Sequence, residues 1–221
     1  MDEISLEKYI FKKISEQTNL NINIKLDKIK KISLYIIHLN KWTKKVNLVG
    51  IKDPKIIFDE LILDSIYLAD FIFKIPKDKG CDNNFKILDI GAGAGIPGIP
   101  LRILYDAGYY LMVEPRKKRG VFINLMINKL GLKDTKVFFG NIEELKEKNF
   151  DLCLSRAFCR WDKFFDLSKN YLKQTGYVLI FSNSRWNNQK LRDFYFVTQY
   201  SYTLPSKKER YFWLFSKKAP S

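Results

Sequence analysis

The run KILDIGAGAGIPGIPL, from Lys86 to Leu101, constrains this chain more than any other segment. A short apolar strand carrying one acid, Asp89, leads straight into glycines at Gly91, Gly93 and Gly95. Glycine adopts positive φ without a Cβ clash and lets a ligand approach the main chain closely. A helix that follows presents unpaired N–H groups at its first turn. A tight turn after a strand would use the same glycines. Two neighbours point instead to a nucleotide-type ligand: Asp89 itself, and Glu114 at the end of the next apolar run, Tyr109 to Val113.

Glu114 reads as an acceptor for ribose hydroxyls, in a dinucleotide or in S-adenosylmethionine alike. The glycine spacing separates these two ligands. A dinucleotide fingerprint runs G-x-G-x-x-G against a pyrophosphate, whereas here the third glycine comes one residue early, at Gly95, and Gly98 follows. Pro97 and Pro100 fall near the first helical turn, where a missing N–H is tolerated. Fewer amides then remain for a phosphate, and the charge of Asp89 suits the cationic end of an amino acid better than a pyrophosphate. The expected cofactor is therefore S-adenosylmethionine, with an NAD-dependent oxidoreductase as the weaker alternative.

Length and composition bound the rest. A chain of 221 residues with 46% hydrophobic content suits one α/β domain with a modest extension. No stretch approaches the ~20 apolar residues of a membrane span, and MDEISLEKYIFKK lacks the basic start and apolar run of a signal peptide. A cytoplasmic protein with no membrane association is expected. Cys81, Cys153 and Cys159 are too few and too oddly spaced for a disulfide framework or a zinc site, so free thiols and no bound metal are expected. His38 is the only histidine, and its helical setting removes Ser-His-Asp and Cys-His schemes. The net charge is +15, and residues 160–221 hold a surplus of 8 of it. Such an excess favours a polyanionic partner through counterion release; a composition rich in lysine throughout is the competing explanation.

Apolar residues recur at helical steps over 5–20 and 26–45, and Asp53-Pro54 starts a third helix that runs toward Phe73. Pro76 to Asn84 reads as a polar linker. Residues 1–79 are thus expected to form a helical extension packed on a domain spanning 80–221. From Phe85 onward strands alternate with helices: Lys86 to Ile90, Tyr109 to Glu114, Lys136 to Gly140, Asp151 to Ser155 and Tyr177 to Ser182. That alternation predicts a mostly parallel twisted sheet with helices on both faces, of the Rossmann-like α/β class. Phe194 to Tyr202 and Arg210 to Phe215 read as an antiparallel hairpin closing one edge. Ligands of such sheets bind beyond the carboxyl ends of the strands, where Asp89, Glu114 and the residues after Gly140 and near Ser155 should converge.

LDIGAGAGIPGIPL, VEPRKKRGVFINLMINKLGL, NIEEL and FDLCLSRAF resemble, in order and spacing, the bacterial glucose-inhibited division protein B family. WTKKVNLVGIKDP and LDS at Leu63 to Ser65 resemble its N-terminal helical region, so the likeness covers most of the chain. The resemblance implies a class I methyltransferase that transfers a methyl group from S-adenosylmethionine to N7 of a guanine in 16S ribosomal RNA. It implies that Gly91 and Ile96 contact the cofactor, that Ile142 and Glu143 flank the adenine, and that Arg156 completes the site. NIEEL is also a capping pattern, with Asn141 as N-cap and Glu144 three residues on, and Arg156 is also a candidate for a surface ion pair. Arg116, Lys117, Lys118, Arg119 and Arg210 are candidate RNA contacts, although a run of charges is ordinarily a solvated face.

The chain departs from the family at Glu60 and Leu61, where the family has arginine and histidine, at Asn141, where arginine is frequent, and at Ser182, where lysine is common. A catalytically silent RNA-binding protein on the same scaffold is therefore the main alternative. Guanine N7 carries a lone pair and no proton, so transfer needs no general base and no catalytic acid or base is named. Arg156 is the candidate for positioning. The expected partner is 16S ribosomal RNA or the small ribosomal subunit, with no obligate protein partner.

Overall fold

The computed structural model describes residues 2–72, 75, 84–156, 160–186, 191 and 193–217. The chain opens on α1 (Glu3–Ser15), started by the Asp2 carboxylate, which accepts from the Ser5 N–H at 2.8 Å. This helix stops short of the expected residue 20, and Gln17 beyond it accepts the Tyr67 hydroxyl at 2.7 Å. The second helix, α2 (Leu26–Val46), buries Ile29, Ile32, Ile36 and Leu39 on one stripe and ends at Asn47 in the left-handed region. Asp53 caps α3 (Pro54–Ile57) as expected, accepting from the Lys55 N–H at 2.8 Å.

The single helix expected from Pro54 toward Phe73 is interrupted. A π-helical segment, Phe58–Ile62, separates α3 from α4 (Leu63–Ile72). Such a bulge adds a residue to the turn and rotates everything after it. Every residue of α4 is buried, including Asp64 and Asp70.

The sheet contains β1 (Lys86–Ile90), β2 (Tyr109–Val113), β3 (Thr135–Phe138), β4 (Phe150–Ser155), β5 (Leu172–Ser182), β6 (Tyr195–Thr203) and β7 (Glu209–Ser216), in the order β3-β2-β1-β4-β5-β7-β6. The first five strands are parallel, and β7 lies antiparallel between β5 and β6. The expected C-terminal hairpin is thus present, with its second strand inserted next to β5. Between the strands run α5 (Gly98–Leu104), α6 (Lys117–Leu130) and α7 (Trp161–Lys169). The strand bounds match the expected ones closely except at β5. It begins at Leu172 instead of Tyr177, because the β4 ladder shifts register between Phe150 and Leu152.

Alternate residues face opposite sides of the sheet. Ile87, Tyr110, Met112, Leu152 and Leu154 join the cluster under α1 to α6, whereas Leu88, Leu111, Cys153, Val178 and Ile180 join the cluster under α7. The first cluster runs without a break from Leu6 to Leu214. Tyr35, fully buried on α2, donates its hydroxyl to the Ala94 carbonyl at 2.8 Å and ties the helical front to the glycine loop. The boundary expected between residues 79 and 80, and all of the expected linker except Asn84, fall outside the described residues, as do Cys81 and Cys159. Cys153 is free and buried.

Candidate active site

Strand order reverses between β1 and β4, and the crevice at that switch point opens beyond their carboxyl ends. A cavity of about 680 Å³ occupies it. Its floor is the loop after β1, where Gly91, Gly93 and Gly95 all hold positive φ. A Cβ on Gly93 would meet only the Arg119 guanidinium at 3.8 Å and the Gly91 carbonyl at 3.9 Å, so the space above the loop is open. Gly95 has a different reason to be glycine. A Cβ there would sit 2.7 Å from Ile99, so its part is close packing of loop on helix.

The two acids read from the sequence stand just beneath this floor. Glu114 is buried after β2, and its carboxylate accepts the Gly93 N–H at 2.8 Å and the Arg116 N–H at 2.9 Å. It clamps the loop and keeps lone pairs free on both oxygens. Asp89 is 1% exposed and accepts the Tyr110 hydroxyl at 3.2 Å. Burial pushes its carboxyl up to about 7; the Tyr110 hydrogen bond opposes that rise and the Glu114 charge adds to it.

Arg156 follows β4 directly and lines the cavity. Among the described residues its ion-pair partner is a buried acid and not a surface one. Its guanidinium lies 2.9 Å from the buried Asp64 carboxylate of α4 and donates to the Glu60 carbonyl at 3.2 Å. The other Asp64 oxygen accepts the Tyr202 hydroxyl of β6 at 2.8 Å. Burial raises the Asp64 carboxyl above its ordinary range, opposed first by Arg156 and then by the Tyr202 hydrogen bond.

The cavity wall brings together Gly91, Gly93, Ile96, Arg119, Arg156 and Arg210 of the residues singled out from the sequence. Outside it stand Asp89, Glu114, Ile142, Glu143, Arg116, Lys117 and Lys118. Ile142 is buried in the second apolar cluster and its carbonyl accepts the Tyr171 hydroxyl at 2.6 Å, while Glu143 is exposed beside it. The capping box read over Asn141 to Glu144 takes another form. Ile142–Glu144 is a short 3-10 turn, and the Asn141 amide donates to the Glu144 carboxylate at 2.9 Å in place of a backbone cap. Arg116, Lys117 and Lys118 are exposed at the start of α6. Leu61 and Ser182, two of the departures from the family pattern, line the cavity, while Glu60 accepts Lys208 at 3.0 Å.

Sequence reasoning missed Asp64, Tyr202 and Trp161. Asp64 had two signals, its place in the LDS segment that resembles the family and its position as an acid in a mostly apolar helix, but neither named a role for it. Trp161 is held edge-on to Trp213 at 4.4 Å and gives the cavity an apolar wall.

A doubly wound sheet with an antiparallel seventh strand, and a glycine-floored cavity at its switch point, make up a Rossmann-like α/β fold with its ligand crevice open. The family model described as rRNA small subunit methyltransferase G matches residues 28–210. A ribosomal RNA small subunit methyltransferase G from Lawsonia intracellularis is 34% identical over 195 residues, covering 86% of this chain and 87% of that protein. Another protein of that name, from Oleidesulfovibrio alaskensis, is 32% identical and covers 86% of each chain. The solved O-methyltransferase of Bacillus cereus in complex with SAH superposes with a TM-score of 0.62 over 96% of this chain and 99% of its own, at 14% identity, and shows the fold. The chain belongs to the rRNA small subunit methyltransferase G family.

Proposed function

We propose that this chain transfers the methyl group of S-adenosylmethionine to N7 of a guanine in 16S ribosomal RNA, within the cytoplasm and without an obligate protein partner. Methyl transfer to small-subunit ribosomal RNA is the activity that the family description names. The observation that carries the reading is the cavity over the glycine loop, walled by Arg119, Arg156 and Arg210. Its volume falls within the ~300–1,000 Å³ range of small-molecule sites, and the open space above Gly93 is where a ligand can meet bare main chain. The bare main chain over Gly93 and the Glu114 carboxylate that holds the loop from below fit the ribose of the cofactor.

When bound, the cofactor supplies a methyl group already activated on a sulfonium. The chain has to hold that group and the base in line and keep water out. Gly91, Gly93 and Ile96 form the floor, and Glu114, buried under the loop and outside the cavity wall, would offer its spare lone pairs to the ribose hydroxyls. Asp89, buried one layer down, would support the amino-acid end, and by the family resemblance Ile142 and Glu143, after β3 and outside the cavity wall, would flank the adenine. Arg156 holds the reacting ends together, and an arginine donor on guanine O6 leaves N7 free to attack. No proton leaves N7, so it is no obstacle to the reaction that His38, the single histidine, stands outside the cavity wall.

The RNA side is supported by charge placement. Arg116, Lys117, Lys118 and Arg119 crowd the N-terminal end of α6, and its first turn contains no acid. Cations there oppose the helix dipole by ~0.3–1 kcal/mol each. A phosphate backbone laid across that end relieves the opposition. The test is labelled methyl transfer from S-adenosylmethionine to small subunits and to their free RNA, with the label mapped. Label at guanine N7 is expected. Label elsewhere would remove the N7 assignment, and no transfer to either substrate would favour a silent RNA binder.

A further inference from the structure

The cavity has an unexpected charge balance for a site that receives a cation. Among the described residues lining it, Arg119, Arg156 and Arg210 are cationic and Asp64 alone is anionic. Asp64 is 1% exposed, and both of its oxygens are held, one by Arg156 at 2.9 Å and one by Tyr202 at 2.8 Å. Its two partners come from the end of β4 and from β6, so three separate elements converge to place one carboxylate under one guanidinium.

The reaction proposed above moves positive charge through this space. The S–CH3 bond breaks with its electron pair left on sulfur, and the N7 lone pair forms the new N–CH3 bond. The unit charge passes from sulfur to the guanine ring, and no proton is exchanged. A bare guanidinium beside that path would repel the charge at both ends.

We infer that Asp64 is a positioning and charge-compensating residue, whose carboxylate neutralises Arg156 so that a sulfonium, and then a methylated cationic base, is accepted beside an arginine. The inference rests on the cofactor reading above. The ion pair keeps the guanidinium's hydrogen-bond donors in place while cancelling its net charge. A unit charge acting across ~10 Å through an effective dielectric of ~20–40 changes affinity roughly 4- to 15-fold. That effect must fall on charged S-adenosylmethionine and spare neutral S-adenosylhomocysteine, which matches it in shape apart from the methyl group.

Calorimetric titration of both ligands into wild type, Asp64→Asn, Arg156→Gln and the double variant tests this. The ratio Kd(S-adenosylmethionine)/Kd(S-adenosylhomocysteine) should rise roughly 4- to 15-fold in Asp64→Asn, fall in Arg156→Gln, and return to within about 2-fold of wild type in the double variant. The rise should shrink as salt is added. A purely structural role would weaken both ligands alike. An unchanged ratio in Asp64→Asn with neutral-ligand affinity retained overturns the inference. If Asp64→Asn binds neither ligand, an unchanged ratio in Arg156→Gln overturns it, and a lowered one sustains it. Wild-type protein that binds neither ligand overturns the cofactor reading, and the inference with it.

Discussion

Replacing Asp89 by asparagine should stabilise this protein at alkaline pH and do progressively less as pH falls. The carboxyl is fully buried, its ordinary value is 3.8, and in the folded chain it lies near 7. Between those values the folded state holds a proton that the unfolded chain has released, so stability declines as pH rises through the window. A rise of about 3 units corresponds to ~4 kcal/mol once pH exceeds the folded value. At pH 5 only the first part of that loss has accrued, and the remaining ~2–3 kcal/mol appears between pH 5 and 8.5. Asparagine keeps an oxygen for the Tyr110 hydroxyl and carries no charge to desolvate. The advantage of Asp89→Asn over wild type should therefore grow by about 5–10 °C in Tm over that interval, for a chain of this size. Calorimetric melts at pH 5, 6, 7 and 8.5 measure it. An advantage independent of pH, or one that grows toward acid, would refute the assignment of a raised carboxyl at this position.

Gly93→Val should lose cofactor affinity by at least ~10-fold with the fold retained. The φ of +62° disfavours a β-branched residue by ~1–2 kcal/mol, and parallel melting and binding curves separate the two effects. Arg102→Met should cost about 3–5 kcal/mol in denaturant unfolding. Buried Arg102 donates to the carbonyls of Tyr105, Asp106, Ala107, Gly108 and Lys133 and to the Thr135 hydroxyl, and methionine leaves them all without that donor. Changing Arg116, Lys117 and Lys118 together to glutamine should flatten the dependence of RNA affinity on log salt by about 2 units, and leave thermal stability equal or higher. An unchanged slope would return those charges to ordinary solvated surface.

The parts of this protein legible in its sequence are those governed by local rules. The strand-turn-helix at Lys86 to Leu101 is written in residue types that allow few other backbones, and β1, β2 and the C-terminal hairpin appear within a residue or two of where periodicity puts them. The Asp53-Pro54 helix start is local in the same way. The glycine loop, with Glu114 one strand away, follows from the geometry of a parallel βαβ unit, so the loop's place under the cavity was readable too. Tertiary structure decided what distant segments do to one another. The π segment at Phe58–Ile62 breaks an apolar run that looks like one continuous helix, and no pattern within that run marks the extra residue. Arg156 and Asp64 are far apart in sequence and belong to different halves of the chain; only the finished fold brings the start of α4 to the residue after β4 and makes them partners. Arg102 looks like an ordinary charge on a short helix, yet it becomes a buried staple because two loops close around it. The physical reason is the same in each case. Propensity and periodicity act over a few residues, whereas burial of a charge and its compensation depend on which surfaces the finished fold brings together.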